Sequence, residues 1–388
     1  MTRYHAQYAW LGGDTVAADV AIEVEGERIV SVSVDAEPGG TRLDGVTLPG
    51  LANAHSHAFQ RALRGRTQRG GGSFWTWRED MYALAGSITP DDTFALARDT
   101  YREMVRAGIT CVGEFDYVHH SEALIAAADE VGIRLTLLDA CYLAGGFGEE
   151  PNPVQRRFSD GDAARWAERV SAIEGAKVGA AIHSVRAVPA DQIATVVEFT
   201  RGRPLHFHVS EQRAENEACL AAHGMTPVQL LGEHGALGPA STAVHATHLT
   251  DADKALLADT TICMCPTTER DLADGIGDAG PKLSVGSDSH AIIDLFEEAR
   301  AVELNLRLKT ERRGHFTAAA LLRGATNHAS LGWPDAGEIR PGALADLVTV
   351  GLTSPRLDNA ERETLLESIV FAATAADVTH VLIGGKPC

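Results

Sequence analysis

Short apolar runs alternate with amphipathic stretches through most of this chain, and no other feature restricts the fold as much. Apolar runs occupy residues 110–115, 134–138, 178–182 and 283–285, and amphipathic stretches such as 91–107 lie between such runs. A short apolar run is typical of a buried strand, and an amphipathic stretch is typical of a helix that covers it. The pattern therefore predicts alternating strands and helices, as in a parallel α/β barrel or a doubly wound sheet.

The two ends of the chain have a different pattern. Residues 20–34 alternate apolar and polar side chains around Gly26, as expected of a hairpin with one face exposed to solvent. Short strand patterns return after Gly337, at 345–350 and 380–383. We therefore expect a (β/α)8 TIM-like barrel over residues 48–337 and a small β-sandwich domain built from residues 1–47 and 338–388. The length of 388 residues accommodates a barrel of ~250 residues and one small domain.

The net charge of the chain restricts the binding partners that we expect. The chain has 34 Lys and Arg against 53 Asp and Glu, a net charge of −19 that repels phosphate backbones, so we expect no nucleic-acid partner. An anionic small substrate would need a local cationic pocket.

No segment resembles a signal peptide or reaches the ~20 apolar residues of a membrane helix. The six cysteines form no CxxC pair. We expect reduced thiols, a cytoplasmic location and no membrane partner.

Imidazole and carboxylate groups collect where four of the strands are predicted to end. They are His55 and His57 after 48–52, His206 and His208 in 205–209, His245 and His248 near 243–244, and Asp288 after 283–285. Residues i and i+2 of an extended chain project to one side, so each HxH pair can face one ion. The carboxyl ends of parallel barrel strands open on one face. The sequence therefore predicts a zinc-type metal site with an open position for water, with candidate ligands His55, His57, Asp288 and either His206 or His208.

Several of these segments resemble a known family. Residues 48–57, the stretch from His208 to Glu211, the Ser287-Asp288 pair and residues 342–348 resemble the mononuclear deaminase branch of the amidohydrolase superfamily, over nearly the whole chain. The longer strings 55–62, 73–79, 115–120 and 265–269 are similar to those of formimidoylglutamate deiminases, which act in histidine degradation. The resemblance implies hydrolytic deamination of N-formimino-L-glutamate to N-formyl-L-glutamate and ammonia by a metal-activated water.

The resemblance also implies a metal and a set of catalytic roles. One divalent ion per chain is expected, zinc in the first place and iron(II) as the alternative, and its implied ligands are His55, His57, His208 and Asp288. The HxxE spacing of the family selects His208, which makes His206 a packed neighbour. Glu211 resembles the glutamate that shuttles protons, with Asp288 as a further proton acceptor, and His245 resembles the histidine that contacts water and substrate.

A small dicarboxylate is the implied substrate and partner, and a homodimer is the expected assembly. The residues that match substrate-binding positions are Gln60, Arg78 in a tryptophan-rich loop, Tyr117, His183 near the reacting group, and Arg186. The two arginines would hold the carboxylates, with Tyr117 and Gln60 as neutral donors.

Two other interpretations stay open. The first is a deaminase of the same fold that acts on another small amidine or guanidine acid, or on an aromatic base. The pair Arg78 and Arg186 favours an acyclic dianion over that alternative. The second is a noncatalytic metal-binding scaffold, and Glu211 argues against it because a closed structural site has no use for a carboxylate beside an open water position.

Overall fold

The computed structural model describes residues 1–388 and contains fifteen strands and twelve α-helices. The strands are β1 (Thr2–Ala9), β2 (Ala17–Glu25), β3 (Arg28–Ser33), β4 (Thr41–Pro49), β5 (Leu51–Ser56), β6 (Ile109–Asp116), β7 (Arg134–Cys141), β8 (Lys177–Ile182), β9 (Leu205–Val209), β10 (Ser241–His245), β11 (Thr261–Met264), β12 (Leu283–Val285), β13 (Leu347–Val350), β14 (Val378–Ile383) and β15 (Lys386–Pro387). The helices are α1 (Phe74–Ser87), α2 (Pro90–Arg106), α3 (Ser121–Val131), α4 (Ala163–Ser171), α5 (Ala190–Phe199), α6 (Arg213–His223), α7 (Pro227–Glu233), α8 (Asp251–Leu256), α9 (Pro266–Asp271), α10 (Leu295–Thr310), α11 (Ala318–Ala325) and α12 (Leu365–Ala372).

Strands β5 to β12 form one eight-stranded sheet in which each strand pairs in parallel with the next. The ring closes through a parallel bridge between Ser56 and Asp288. The Asp288 amide donates to the His55 carbonyl at 3.0 Å, and the His57 amide donates to the Asp288 carbonyl at 3.2 Å. Gly286 permits this approach, since a Cβ there would lie 2.8 Å from the His55 nitrogen. The predicted (β/α)8 barrel is confirmed, and the closing residues are those predicted to bind metal.

Local sequence explains why the helices form where they do. The α2 helix begins at Pro90, whose missing N–H costs nothing at the first helical position. The Thr89 side chain caps it by accepting from the Asp92 amide. Its buried stripe, which includes Tyr101 and Met104, packs into the main apolar core around the barrel strands. No helix combines the length and the apolar character that a membrane span requires.

The chain ends meet in a second sheet of seven strands, in the order β15-β14-β13-β4-β1-β2-β3. The predicted hairpin is confirmed: β2 and β3 pair antiparallel around Gly26, whose φ of 60° lies in the left-handed region that the turn requires. This sheet buries its own apolar cluster, which includes Tyr4, Ile22 and Leu43. The division into domains at 47/48 and 337/338 stays a prediction, and β4 runs through to Pro49.

The tryptophan-rich segment differs from the expectation, because it forms the helix α1 rather than a loop. Ser73 and Thr76 form a capping box at its start. Phe74, Met81 and Ala85 are buried along one side, which anchors the helix over the mouth of the barrel. Arg78 therefore has a fixed helical position.

Candidate active site

Four side chains bring nitrogen and oxygen atoms together at the carboxyl ends of the barrel strands. The Nε2 atom of His208 lies 3.0 Å from that of His55 and 3.4 Å from that of His57. The Asp288 Oδ1 lies 3.2 Å from His55 Nε2 and 3.6 Å from His57 Nε2. Around a tetrahedral zinc ion with bonds of ~2.1 Å, the ligand atoms are about 3.4 Å apart. The four separations are close to this value, and both His55, His57, Asp288 and His55, His208, His245 form groups that could hold a metal ion.

The electrostatics of the three imidazoles suit a metal site. Burial first, and neighbouring histidines next, hold the pKa of His55, His57 and His208 well below the usual value. They are therefore neutral at pH 7, which is the form that binds a metal. The Nδ1 of His208 donates to the His183 carbonyl at 2.8 Å, which leaves the Nε2 lone pair directed at the cluster.

The other two histidines of these strand ends lie outside the cluster. His206 is fully buried, and its Nε2 donates to the Ser330 carbonyl at 2.8 Å. The side chain of His248 takes no part in the cluster, and its backbone carbonyl accepts from Asn216. Only His208 of the pair at 206 and 208 therefore brings a nitrogen to the other ligand atoms.

Glu211 and His245 lie beside this cluster. The His245 Nε2 lies 3.8 Å from Glu211 Oε1 and 3.8 Å from Asp288 Oδ2. Burial acts to lower the pKa of His245, but the surrounding carboxylates outweigh burial and hold the pKa well above its usual value. Burial raises the pKa of Glu211 to about 7, although the nearby His245 opposes the shift. A carboxyl group with such a pKa can both accept and release a proton near neutrality.

Glu269 is a further carboxyl group beside His245 that the sequence analysis did not identify. Its Oε1 lies 3.5 Å from His245 Nδ1 and accepts from the Cys265 amide at 2.9 Å. Glu269 is 1% exposed, so its carboxyl group is shielded from solvent. The sequence does mark this carboxyl group: within residues 265–269 a proline begins helix α9, and Glu269 follows in its first turn. Glu269 thus lies on the Nδ1 side of the His245 ring, and Glu211 lies on its Nε2 side.

The residues predicted to bind substrate line one narrow cavity of about 50 Å³ next to the cluster. These are Gln60, Arg78, Tyr117, His183 and Arg186, and Glu211, His245 and Asp288 line the same cavity. Burial and the adjacent Arg186 hold the pKa of His183 well below its usual value. The cavity thus combines two guanidinium groups with neutral imidazole, amide and phenol groups.

Gln60 and Arg186 have partners that the sequence did not predict. The Gln60 Nε2 donates to the Tyr117 hydroxyl at 3.2 Å, which leaves the buried Gln60 Oε1 as an acceptor without a partner. Gln60 thus offers the cavity an acceptor, whereas we expected a donor. The Arg186 Nε lies 3.4 Å from Glu215 Oε1, and Glu215 is 3% exposed. The two terminal nitrogens of Arg186 make no hydrogen bond within the protein.

Backbone strain concentrates at the same strand ends. Ser210, His245 and Asp288 have φ values of 53°, 68° and 43°, a region that residues other than glycine rarely adopt. Such conformations cost of order 1–3 kcal/mol each and persist where the surrounding structure enforces them. The site is therefore preorganised by the barrel.

A parallel barrel whose strand ends bring together imidazole and carboxylate atoms, with a further buried carboxyl group beside them, is typical of metal-dependent hydrolases. Residues 46–388 match the amidohydrolase family. The chain is 36% identical to the formimidoylglutamate deiminase of Pseudomonas aeruginosa, over 95% of this chain and 91% of that protein. The chain belongs to the amidohydrolase family and, like that family, is metal-dependent.

Solved structures agree with this assignment. An amidohydrolase from Brucella melitensis superposes with a TM-score of 0.90 at 34% identity, covering 100% of this chain and 94% of that one. An adenosine deaminase from Xanthomonas campestris, solved with bound zinc, gives a TM-score of 0.84 at 25% identity, covering 100% of this chain and 92% of that one. Relatives of this chain thus include deaminases of a linear amidine and of a purine nucleoside.

Proposed function

We propose that the protein hydrolyses N-formimino-L-glutamate to N-formyl-L-glutamate and ammonia. The observation that carries the proposal is the presence of two guanidinium groups, Arg78 and Arg186, in the cavity beside Glu211. The substrate has a carboxylate at each end of its glutamate part, and guanidinium is the side chain best suited to paired recognition of carboxylates. The similarity to the deiminase of Pseudomonas aeruginosa supports the same substrate.

The metal component of the proposal is one divalent ion, zinc or iron(II), held by His55, His57, His208 and Asp288. Three neutral imidazoles and one carboxylate are a donor set suited to zinc, and the separations of the four atoms agree with that size of ion. When bound, such an ion would lower the pKa of a water molecule to ~7, which makes the water a nucleophile near neutrality.

The residues of the chain would then move protons and orient the substrate. Glu211 would take a proton from the attacking water while the water oxygen bonds to the formimino carbon and the C=N π pair moves to the nitrogen. Glu211 would then give this proton to the leaving nitrogen, and the C–N bond would break as the formyl C=O forms. The remaining hydroxyl proton would pass to Asp288, and ammonia would depart. The raised pKa of Glu211 suits both steps. His245 orients the water, while His183 lies on the substrate side of the cavity.

The amide of Gln60 supports a substrate that carries N–H groups. Its free, buried Oε1 would accept a hydrogen bond from the formimino nitrogen. Burying this oxygen without a partner costs about 1–3 kcal/mol, which a substrate N–H would recover. The Tyr117 hydroxyl holds the amide in that orientation.

Deamination of an aromatic base is the second candidate, and the zinc-containing adenosine deaminase favours it. The two guanidinium groups that line the cavity argue against a nucleoside, because adenosine has no carboxylate to pair with them. The test is ammonia release from a panel of compounds: N-formimino-L-glutamate, guanidino acids and adenosine. The proposal requires the highest kcat/KM for N-formimino-L-glutamate, and a preference for adenosine would refute it.

A further inference from the structure

The guanidinium of Arg78, a half-buried side chain, is held by a neutral hydroxyl group rather than by a carboxylate. Arg78 makes no salt bridge, and its Nε and Nη2 both donate to the hydroxyl of Tyr82, at 3.0 and 2.8 Å. The guanidinium carbon also lies 4.8 Å from the centroid of the Tyr82 ring. A neutral oxygen fixes the geometry of the guanidinium without cancelling its charge, so the charge stays available for an anion in the cavity.

The Tyr82 hydroxyl that holds Arg78 is itself held by two further groups. It shares a hydrogen bond of 2.8 Å with the Tyr142 hydroxyl, and the Gln155 Nε2 donates to it at 3.3 Å. The Gln155 Nε2 donates to the same Tyr142 oxygen at 2.9 Å. The Gln155 Oε1 accepts from the Asn152 amide at 2.8 Å, which fixes the orientation of the Gln155 amide. Tyr82, Tyr142 and Gln155 therefore form one connected group of hydrogen bonds behind Arg78.

These two hydroxyl groups connect helix α1 to the barrel. Tyr82 lies in α1, whereas Tyr142 directly follows β7 and is 2% exposed. The Tyr142 ring packs edge-on against His183, with centroids 4.5 Å apart. The position of Arg78 relative to His183 thus depends on Tyr82 and Tyr142.

We infer that Tyr82 and Tyr142 are positioning residues that fix Arg78 for a carboxylate of the substrate. The inference rests on the proposed function for the identity of the substrate. It rests on geometry alone for the coupling between Tyr82 and Arg78. The substitution Tyr82→Phe would keep the ring against the guanidinium of Arg78. It would remove the oxygen that accepts the two hydrogen bonds donated by Arg78.

A double-mutant cycle between Tyr82→Phe and Arg78→Met tests the coupling. For N-formimino-L-glutamate we expect Tyr82→Phe to raise KM by about 10-fold while kcat falls by less than about 3-fold, because binding of a remote group is disturbed. In the Arg78→Met background the same change should alter KM by less than about 2-fold. Tyr142→Phe should raise KM by about 3-fold, since the contact of Tyr82 with Arg78 persists.

Tyr8→Phe is the matched control, since Tyr8 lies in β1 of the terminal sheet and should leave both constants unchanged. An equal effect of Tyr82→Phe with and without Arg78 would overturn the inference. Should Tyr82→Phe not fold, Tyr142→Phe replaces it in the cycle with the same criterion.

Binding of glutarate, measured by calorimetry on the same proteins, separates this inference from the proposed function. Coupling in glutarate affinity together with no turnover of N-formimino-L-glutamate would refute the proposed function and retain the positioning role. Turnover of N-formimino-L-glutamate without coupling in glutarate affinity would refute the positioning role and retain the proposed function.

Discussion

Replacing Arg186 by methionine should harm both activity and stability, for two separable reasons. Methionine has nearly the length of the arginine stem but no charge, so the loss reports on the guanidinium. A hydrogen bond to a charged group is worth ~1.5 to 3 kcal/mol, which corresponds to a loss of roughly 10- to 150-fold in kcat/KM for N-formimino-L-glutamate. The free terminal nitrogens of Arg186, which line the cavity, are the groups expected to make that bond.

The loss of stability arises from Glu215. This carboxylate is 3% exposed and lies 3.4 Å from the Arg186 guanidinium, so Arg186→Met leaves it buried without a counter-ion. Removing one partner of a buried polar pair costs about 1–3 kcal/mol or more. For a chain of this size we expect the melting temperature to fall by a few degrees.

The double variant Arg186→Met/Glu215→Gln separates the two effects. It should recover the melting temperature, because a neutral amide is cheaper to bury than an unpaired carboxylate, but kcat/KM should stay low. A substrate analogue without one carboxylate should lose efficiency with the unmodified protein and lose little more with Arg186→Met. Recovery of kcat/KM in the double variant, or an unchanged kcat/KM in Arg186→Met, would refute the assignment of Arg186 to a carboxylate.

Three further predictions concern the metal cluster and its neighbours. Glu211→Gln should lower kcat at least ~100-fold with the metal content unchanged, since an amide cannot carry the proton; near-normal activity would exclude the role. Elemental analysis should find one divalent ion per chain, lost in His208→Ala and retained in His206→Ala; the reverse result would contradict the proposed ligand set. Glu269→Gln should lower kcat by roughly 10-fold with KM little changed, and Glu269→Asp should recover part of it, because the carboxylate orients His245; equal loss in both variants would indicate a packing role.

The sequence predicts the barrel and the clustering of ligands for one physical reason. Each apolar run is local, and each ends in a polar group whose position is set by the end of its strand. Parallel topology then brings these ends to one face, whatever their separation in the chain. His55 and Asp288 illustrate this, being 3.2 Å apart across the closure of the ring although 233 residues separate them in sequence.

The features that the sequence did not predict are contacts between side chains of different elements. Glu215 lies on α6 and faces Arg186, and Tyr142 follows β7 and faces Tyr82 of α1. No local spacing or periodicity encodes such a pair, because each partner alone is an ordinary helical or loop residue. The helix α1 was missed for a related reason: its buried positions, Phe74, Met81 and Ala85, are too widely spaced to give a strong amphipathic signal, and glycines precede it.

The charge of the assembled site bears on the choice between a linear acid and an aromatic base. Two guanidinium groups, Arg78 and Arg186, line the cavity, and of these only Arg186 faces a carboxylate within the protein, that of Glu215. N-formimino-L-glutamate brings two carboxylates to these two groups. A neutral base would leave the guanidinium of Arg78 without an anionic partner in the cavity, so electrostatics favours the linear acid.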